Sequence, residues 1–296
     1  MIKNDINIFS LCKRIGRPLI LDGAMGSLLQ KKGFKPDGPM WMSLLNLKNP
    51  EAIYKIHREY ISAGADIITT NTFRTNPAAV KHYLKVNVKS LVKKSLDIAL
   101  EAAKNLPVFV AGSNAPAEDC YQAVRTISKK ELRKNHEVHI DLLIESGCHF
   151  IINETQSHFD EIKIICNYCY KNEIPYVISL FFKEDLKLLS GEDLKEIIKY
   201  ITDKNPLAVG LNCVTPSVFL KAVKKISPLL KYCNWGFYLN LGGGAYSDEI
   251  IKCEIDPEDY SGLVKEYLQR APSFVGACCG SSPRHIKYLW KIINES

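Results

Sequence analysis

One alternation runs the length of this 296-residue chain and restricts its fold more than any other feature. Short apolar runs recur, each followed by a polar or glycine-containing turn and then a longer amphipathic stretch. Eight of these runs read as strands: PLILD at 18–22, DIITT at 66–70, VFVAG at 108–112, HFIIN at 149–153, YVISLF at 176–181, LAVGL at 207–211, WGFYLN at 235–240 and SFVGA at 273–277. Their nearly continuous apolarity is the pattern of parallel strands buried on both faces. Helical periodicity follows at 50–65, 77–104, 129–147, 158–172, 191–203, 216–230, 257–270 and 283–294. Asn49-Pro50 opens the first of these helices, with Pro suited to the first helical position and Gly64 near the end. Eight strand–helix units without a Gly/Pro/Ser-rich linker predict a single (β/α)₈ TIM barrel over 1–296, with 1–17 as an N-terminal extension. A doubly wound open sheet is the alternative, and both folds place chemistry beyond the C-terminal ends of the strands.

Read at those ends, the chain offers Asp22-Gly23-Ala24-Met25-Gly26, Asn71-Thr72-Phe73, Ser113-Asn114, Glu154-Thr155, Asn212-Cys213, Asn240 with Gly242 to Gly244, and Cys278-Cys279-Gly280. Cys213 ends the sixth strand and the vicinal pair Cys278-Cys279 ends the eighth, so three thiols can meet on one rim. Three convergent thiolates make a zinc site with one open position. Adjacent cysteines can both face one ion if the backbone turns sharply between them and the strand, and Gly276 and Gly280 supply flexibility for such a turn. Three inert buried cysteines, or a vicinal disulfide, are the alternatives that spacing alone leaves open.

Composition removes several function classes. No stretch of about 18 apolar residues exists to span a membrane. The N-terminus lacks the apolar run and small-residue cleavage site of a signal peptide. Ten cysteines diluted over such a chain read as reduced, cytoplasmic thiols rather than a disulfide framework. The net charge of +7 is spread over helical segments such as KSLVKKSL and KAVKKIS, the pattern of solvated faces and not of a nucleic-acid footprint.

Five segments taken in order, LILDGAMGSLLQ, ADIITTNTF, FIINET, VGLNC and GACCG, resemble the homocysteine S-methyltransferase family of zinc-dependent barrels. The resemblance covers about residues 17–294. It implies that Cys213, Cys278 and Cys279 ligate Zn²⁺, and that Glu154 holds the ammonium group of homocysteine. In cobalamin-dependent relatives an Asn after strand seven fills the fourth zinc position until homocysteine displaces it; Asn240 matches that residue. The Gly23-Ala24-Met25 turn, at a helix start, is expected to offer backbone N–H groups to the substrate carboxylate. Asp22 is expected to order that turn, assist substrate binding or cap the following helix, and Thr70, Asn71 and Thr72 to line the pocket.

The implied ligand set selects a type of chemistry. Three thiolates on a divalent ion leave a net charge of about −1, so the metal is a poor generator of hydroxide. It can still hold a soft substrate thiol as thiolate, a sulfur ready to attack an electrophilic methyl group. The resemblance therefore implies transfer of a methyl group to homocysteine, giving methionine. S-methylmethionine or S-adenosylmethionine is the expected donor for a barrel acting alone. Because DGAMG and NTF look closer to the homocysteine half of cobalamin-dependent methionine synthase, a subunit working with a separate corrinoid protein is the alternative. A non-catalytic zinc- or thiol-binding barrel is a third reading.

Other motifs carry less. Cys166 and Cys169 have C-x-x-C spacing inside a helical stretch and read as core residues. His136 and His139 read as surface or interface histidines, and Gly242 to Gly244 as room for a methyl donor rather than a phosphate cradle. The unpatterned segment 33–48 is expected to be a lid or a packed excursion, with Met40, Trp41 and Met42 either capping a pocket or pinning the loop.

Overall fold

The structure is a computed structural model that describes residues 8–81, 83, 85–243 and 251–295. Eight parallel strands form one sheet: β1 (Leu19–Ile20), β2 (Ile67–Thr69), β3 (Phe109–Asn114), β4 (Phe150–Gln156), β5 (Tyr176–Leu180), β6 (Ala208–Asn212), β7 (Trp235–Leu239) and β8 (Phe274–Ala277). Their spatial order is β1-β8-β7-β6-β5-β4-β3-β2, and a parallel bridge between Leu21 and Ile67 joins the two ends. The sheet is thus a closed barrel and not an open doubly wound sheet. Around it lie α1 (Pro50–Ser62), α2 (Val88–Ala103), α3 (Lys129–Glu145), α4 (Phe159–Lys171), α5 (Leu194–Thr202), α6 (Pro216–Leu230), α7 (Pro257–Leu268) and α8 (Pro283–Asn294).

Period-two alternation along the strands divides the apolar residues into two cores. Leu19, Leu21, Ile67, Ala111, Phe150, Ile152, Val177, Ala208, Tyr238 and Phe274 pack inside the barrel. Their neighbours Ile20, Ile68, Val110, Ile151, Ile178, Val209, Phe237 and Val275 face the helices. Each of the larger aliphatic and phenylalanine side chains contributes roughly 1.5–3 kcal/mol on burial, which is why both strand faces read as apolar in the sequence. The N-terminal extension belongs to the inner core: Phe9 packs 5.3 Å from Phe274 and edge-on to Phe150, and the Cys12 thiol donates to the Ser273 carbonyl. The chain segment before β1 therefore plugs the N-terminal end of the barrel.

The β1–β2 seam has the thinnest ladder, and carboxylates reinforce it. Asp66 accepts the Ile20 N–H at 2.8 Å and pairs with Arg17 through both oxygens. Asp22 accepts the Thr69 N–H at 2.8 Å and the Thr69 hydroxyl at 3.0 Å. Asp22 does not cap the next helix, Gly26–Lys31, whose N-terminus has no side-chain cap bond.

Two expectations need correction. The stretch 77–104 is not one helix: Asn76 caps a short helix at Pro77–Val80, and Asn87 caps α2 separately by accepting the Ser90 N–H. A side chain of that kind begins a new helix, and each cap contributes about 1 kcal/mol. His136 and His139 are fully buried, not surface residues. Their partners come from elsewhere: His136 Nε2 lies 2.6 Å from Glu161, while His139 contacts Asn114 and Thr75.

Candidate functional site

Three sulfurs converge where β6 and β8 end. Cys213 Sγ lies 4.0 Å from Cys279 Sγ, Cys278 Sγ lies 3.9 Å from Cys279 Sγ, and all three fall within 4.8 Å of one another. A tetrahedron of thiolates about 2.3 Å from zinc has edges of about 3.8 Å, so the spacing fits that ion. The backbone explains the convergence. Cys213 turns out of β6 with φ of 56°, a left-handed conformation that is costly for a residue with a Cβ and that clusters at functional sites. After β8 the chain bends through a turn closed by the Ser281 N–H donating to the Cys278 carbonyl. Gly280 completes it at φ of 81°, where a Cβ would lie 2.6 Å from the Gly242 backbone. Gly276 does other work: it lies within β8, where an added Cβ would meet Leu21 at 2.8 Å, so its small size lets β1 approach.

Glu154 lies on the same inward face of β4 as Phe150 and Ile152. A register irregularity between Asn153 and Gln156 lets the strand turn there, with Thr155 at φ of 54°. Asn212, next to Cys213, holds that irregular turn through a reciprocal pair: the Thr155 N–H donates to Asn212 Oδ1, and Asn212 Nδ2 donates to Thr155 Oγ1. Burial pushes the Glu154 carboxyl up to about 7, with the Ser113 hydroxyl, which donates to it at 2.5 Å, opposing the shift.

The thiols and Glu154 line one cavity of about 700 Å³, together with Asp22, Gly23, Ala24, Met25, Thr70, Asn71, Trp41, Phe73, Tyr121 and Tyr238. That volume exceeds the needs of one small amino acid, so two substrates have room. The Gly23-Ala24-Met25 turn lies at its wall, but Ala24 is already engaged: its N–H donates to the Ser281 hydroxyl, and its carbonyl accepts from Tyr60. Thr70 shares a hydrogen bond with the Thr72 hydroxyl and accepts the Ser113 N–H, while Thr72 itself, expected at the wall, is fully buried behind it and donates to the Ser113 carbonyl. Asn71 donates to the Met42 carbonyl and to Asn46, binding the 33–48 excursion to the barrel. In that excursion Met40 and Met42 are fully buried while Trp41 faces the cavity, so pinning and capping are divided among neighbours. Asn240 lies at the mouth, lining a second cavity of about 450 Å³ with Cys213, Cys279 and Tyr121; its side-chain oxygen accepts the Gly242 N–H at 3.0 Å.

The discounted motifs stay outside this chemistry. Cys166 and Cys169 are buried in α4 against the barrel wall. Gly242 and Gly243 pair antiparallel with Lys252 and Cys253, and Glu254 lies against Gly243, which disfavours a phosphate there; Gly244 is outside the described residues. Ser113, offered at the end of the third strand by the sequence, lines the cavity, whereas Tyr121 and Tyr238 are cavity residues that the sequence reading did not select. Tyr238 was accessible by alternation, two positions before Asn240 on the inward face. Tyr121 had no such signal, because its loop has no period.

The fold and site together define an α/β-barrel enzyme with a cluster of three thiols able to hold a metal ion. The chain belongs to the homocysteine S-methyltransferase family, whose profile matches residues 19–293. It is similar to homocysteine S-methyltransferase 2 of Arabidopsis thaliana, at 25% identity over 94% of each chain. The selenocysteine Se-methyltransferase of Brassica oleracea var. italica is 26% identical, over 95% of this chain and 90% of that protein. The betaine-homocysteine S-methyltransferase of Drosophila melanogaster is 25% identical, over 93% and 94%. Among solved structures, the metallated form of the homocysteine methyltransferase MmuM from Escherichia coli superposes with a TM-score of 0.82, at 21% identity over 98% of this chain and all of that one. That likeness supports the barrel fold.

Proposed function

We propose that the protein transfers a methyl group to the sulfur of L-homocysteine, forming methionine, at a zinc site made by Cys213, Cys278 and Cys279. One observation carries this reading: three sulfurs within 4.8 Å of one another share a cavity with a buried carboxylate. Zinc bound there would hold the substrate thiol as thiolate while generating little hydroxide. Glu154 is the residue we assign to the substrate ammonium, a cation that would stabilise the ionised carboxylate that burial alone disfavours. Gly23 and Met25 remain the candidates to meet the carboxylate, with Ala24 contributing once Ser281 gives way. Thr70 and Asn71 act as wall residues. Asn240 is assigned to the fourth position without substrate; its oxygen accepts the Gly242 N–H with one lone pair and keeps a second.

The donor we assign is a small onium compound, S-methylmethionine or S-adenosylmethionine, with the enzyme acting in the cytoplasm as a single barrel domain in methionine biosynthesis. No described helix is long and apolar enough to cross a membrane. The test is methionine formation by purified protein supplied with homocysteine and each donor in turn. Turnover only with an added corrinoid protein would replace this donor assignment by the split-synthase reading. Zinc without any methyl transfer would leave a thiol-binding barrel.

A further inference from the structure

Tyr121 reaches the thiol cluster from the loop between β3 and α3, and a set of charged clamps holds that loop. Glu161, buried on α4, accepts the Ala117 N–H at 2.8 Å and an Arg125 N–H at 3.0 Å, and contacts His136 at 2.6 Å. Arg125 also pairs with Asp160 at 2.5 Å. Burial pushes the Glu161 carboxyl upward, but His136 and the Arg125 guanidinium outweigh it and keep the group below its usual range, hence ionised. Glu118 closes the loop on itself by accepting the Thr126 N–H at 2.8 Å. So held, Tyr121 rests edge-on against Phe181, with ring centroids 4.8 Å apart, and its hydroxyl lies 3.0 Å from Cys213 Sγ.

We infer that Tyr121 is a positioning residue for the thiol centre: its hydroxyl donates a hydrogen bond to the Cys213 thiolate and so sets how tightly the centre accepts one further thiolate, that of the substrate. A thiolate can only accept, and a phenol is a donor throughout the physiological range. The inference rests on the metal–thiolate reading above. With substrate bound, four sulfur anions surround one divalent ion, a net charge of about −2 in a half-buried place, and such a charge is costly without hydrogen-bond donors. Tyr121 supplies a donor to one of those sulfurs. It lines both cavities beside Cys213 and Cys279, so it lies where the centre meets both compartments. Removing an outer partner of this kind costs about 10–100-fold in metal affinity or activity.

The test uses the full chain with cobalt(II) in place of zinc. Wild type is expected to show a near-ultraviolet thiolate-to-cobalt charge-transfer band. In Tyr121→Phe the band should move to lower energy, because an unbonded thiolate gives up its electron more readily, and the homocysteine Kd should rise about tenfold or more with metal content unchanged. Phe keeps the ring against Phe181, so a role in packing alone predicts neither change. Arg125→Gln, which loosens the loop and leaves the phenol, should shift the band the same way by less, and it carries the same test if Tyr121→Phe does not fold. Coincident bands with equal Kd values in wild type and folded Tyr121→Phe would overturn the inference. A wild-type protein with no thiolate–cobalt band would instead remove the metal–thiolate reading beneath it.

Discussion

Cysteines occupy two contrasting places in this barrel. Cys166 and Cys169 lie three residues apart on α4, so both point to one face, and that face packs on the barrel wall. Burial pushes the Cys166 thiol up to about 12 and raises Cys169 as well, which makes them small hydrophobic residues with no tendency to ionise. Cys213, Cys278 and Cys279 come from two strands 65 residues apart in sequence, yet turns aim their sulfurs at one point in a cavity. Residue type and local spacing do not separate the two groups, since C-x-x-C is the better-known metal motif. What separates them is the element beneath: a helix face turns its residues toward packing, whereas strand ends of a barrel turn theirs toward one mouth.

That contrast is most exposed to Cys213→Ser. Zinc content should fall well below about one ion per chain, and methionine formation should drop by more than the roughly 100-fold typical of lost outer-shell partners. Elemental analysis and a methionine assay read both; full zinc occupancy would remove Cys213 from the ligand set. Gly280→Ala tests the turn rather than a ligand. With φ of 81° and a Cβ forced to 2.6 Å from the Gly242 backbone, the residue must shift and carry Cys279 with it. Zinc affinity in chelator competition should weaken by about 10–100-fold. Next in size is a difference in reactivity. After metal removal, alkylation followed by mass spectrometry should label Cys278 and Cys279 while Cys166 and Cys169 stay unmodified until denaturant is added, and equal labelling would dissolve the contrast. Least dramatic is Cys166→Ala, expected to lower stability by about 1–2 kcal/mol in urea unfolding with zinc content and activity intact.

Much of this was legible in the sequence because it depends on local pattern. Eight apolar runs pointed to a parallel sheet buried on both faces, with closure into a barrel decided by the Leu21–Ile67 bridge, and the thiols could be located because each follows such a run. Glu154 was placed by its position after HFIIN. Contacts between distant positions were not legible. Asp22 meets Thr69 across 47 residues and serves the β1–β2 seam, a need that exists only once the barrel closes. His136 reads as an exposed helix residue until Glu161, 25 residues on, supplies its partner. Tyr121 lies 92 residues from Cys213, in a loop whose course is set by the clamps of Arg125 and Glu161. The split between Pro77–Val80 and α2 was a local signal passed over, since Asn87 stands in cap position.

Phe9 deserves a last consequence. Beside Phe150 and Phe274 it closes the N-terminal end of a barrel whose interior the strands' own side chains already fill. Whatever binds at the thiol cluster must therefore reach it from the rim at the C-terminal ends of the strands.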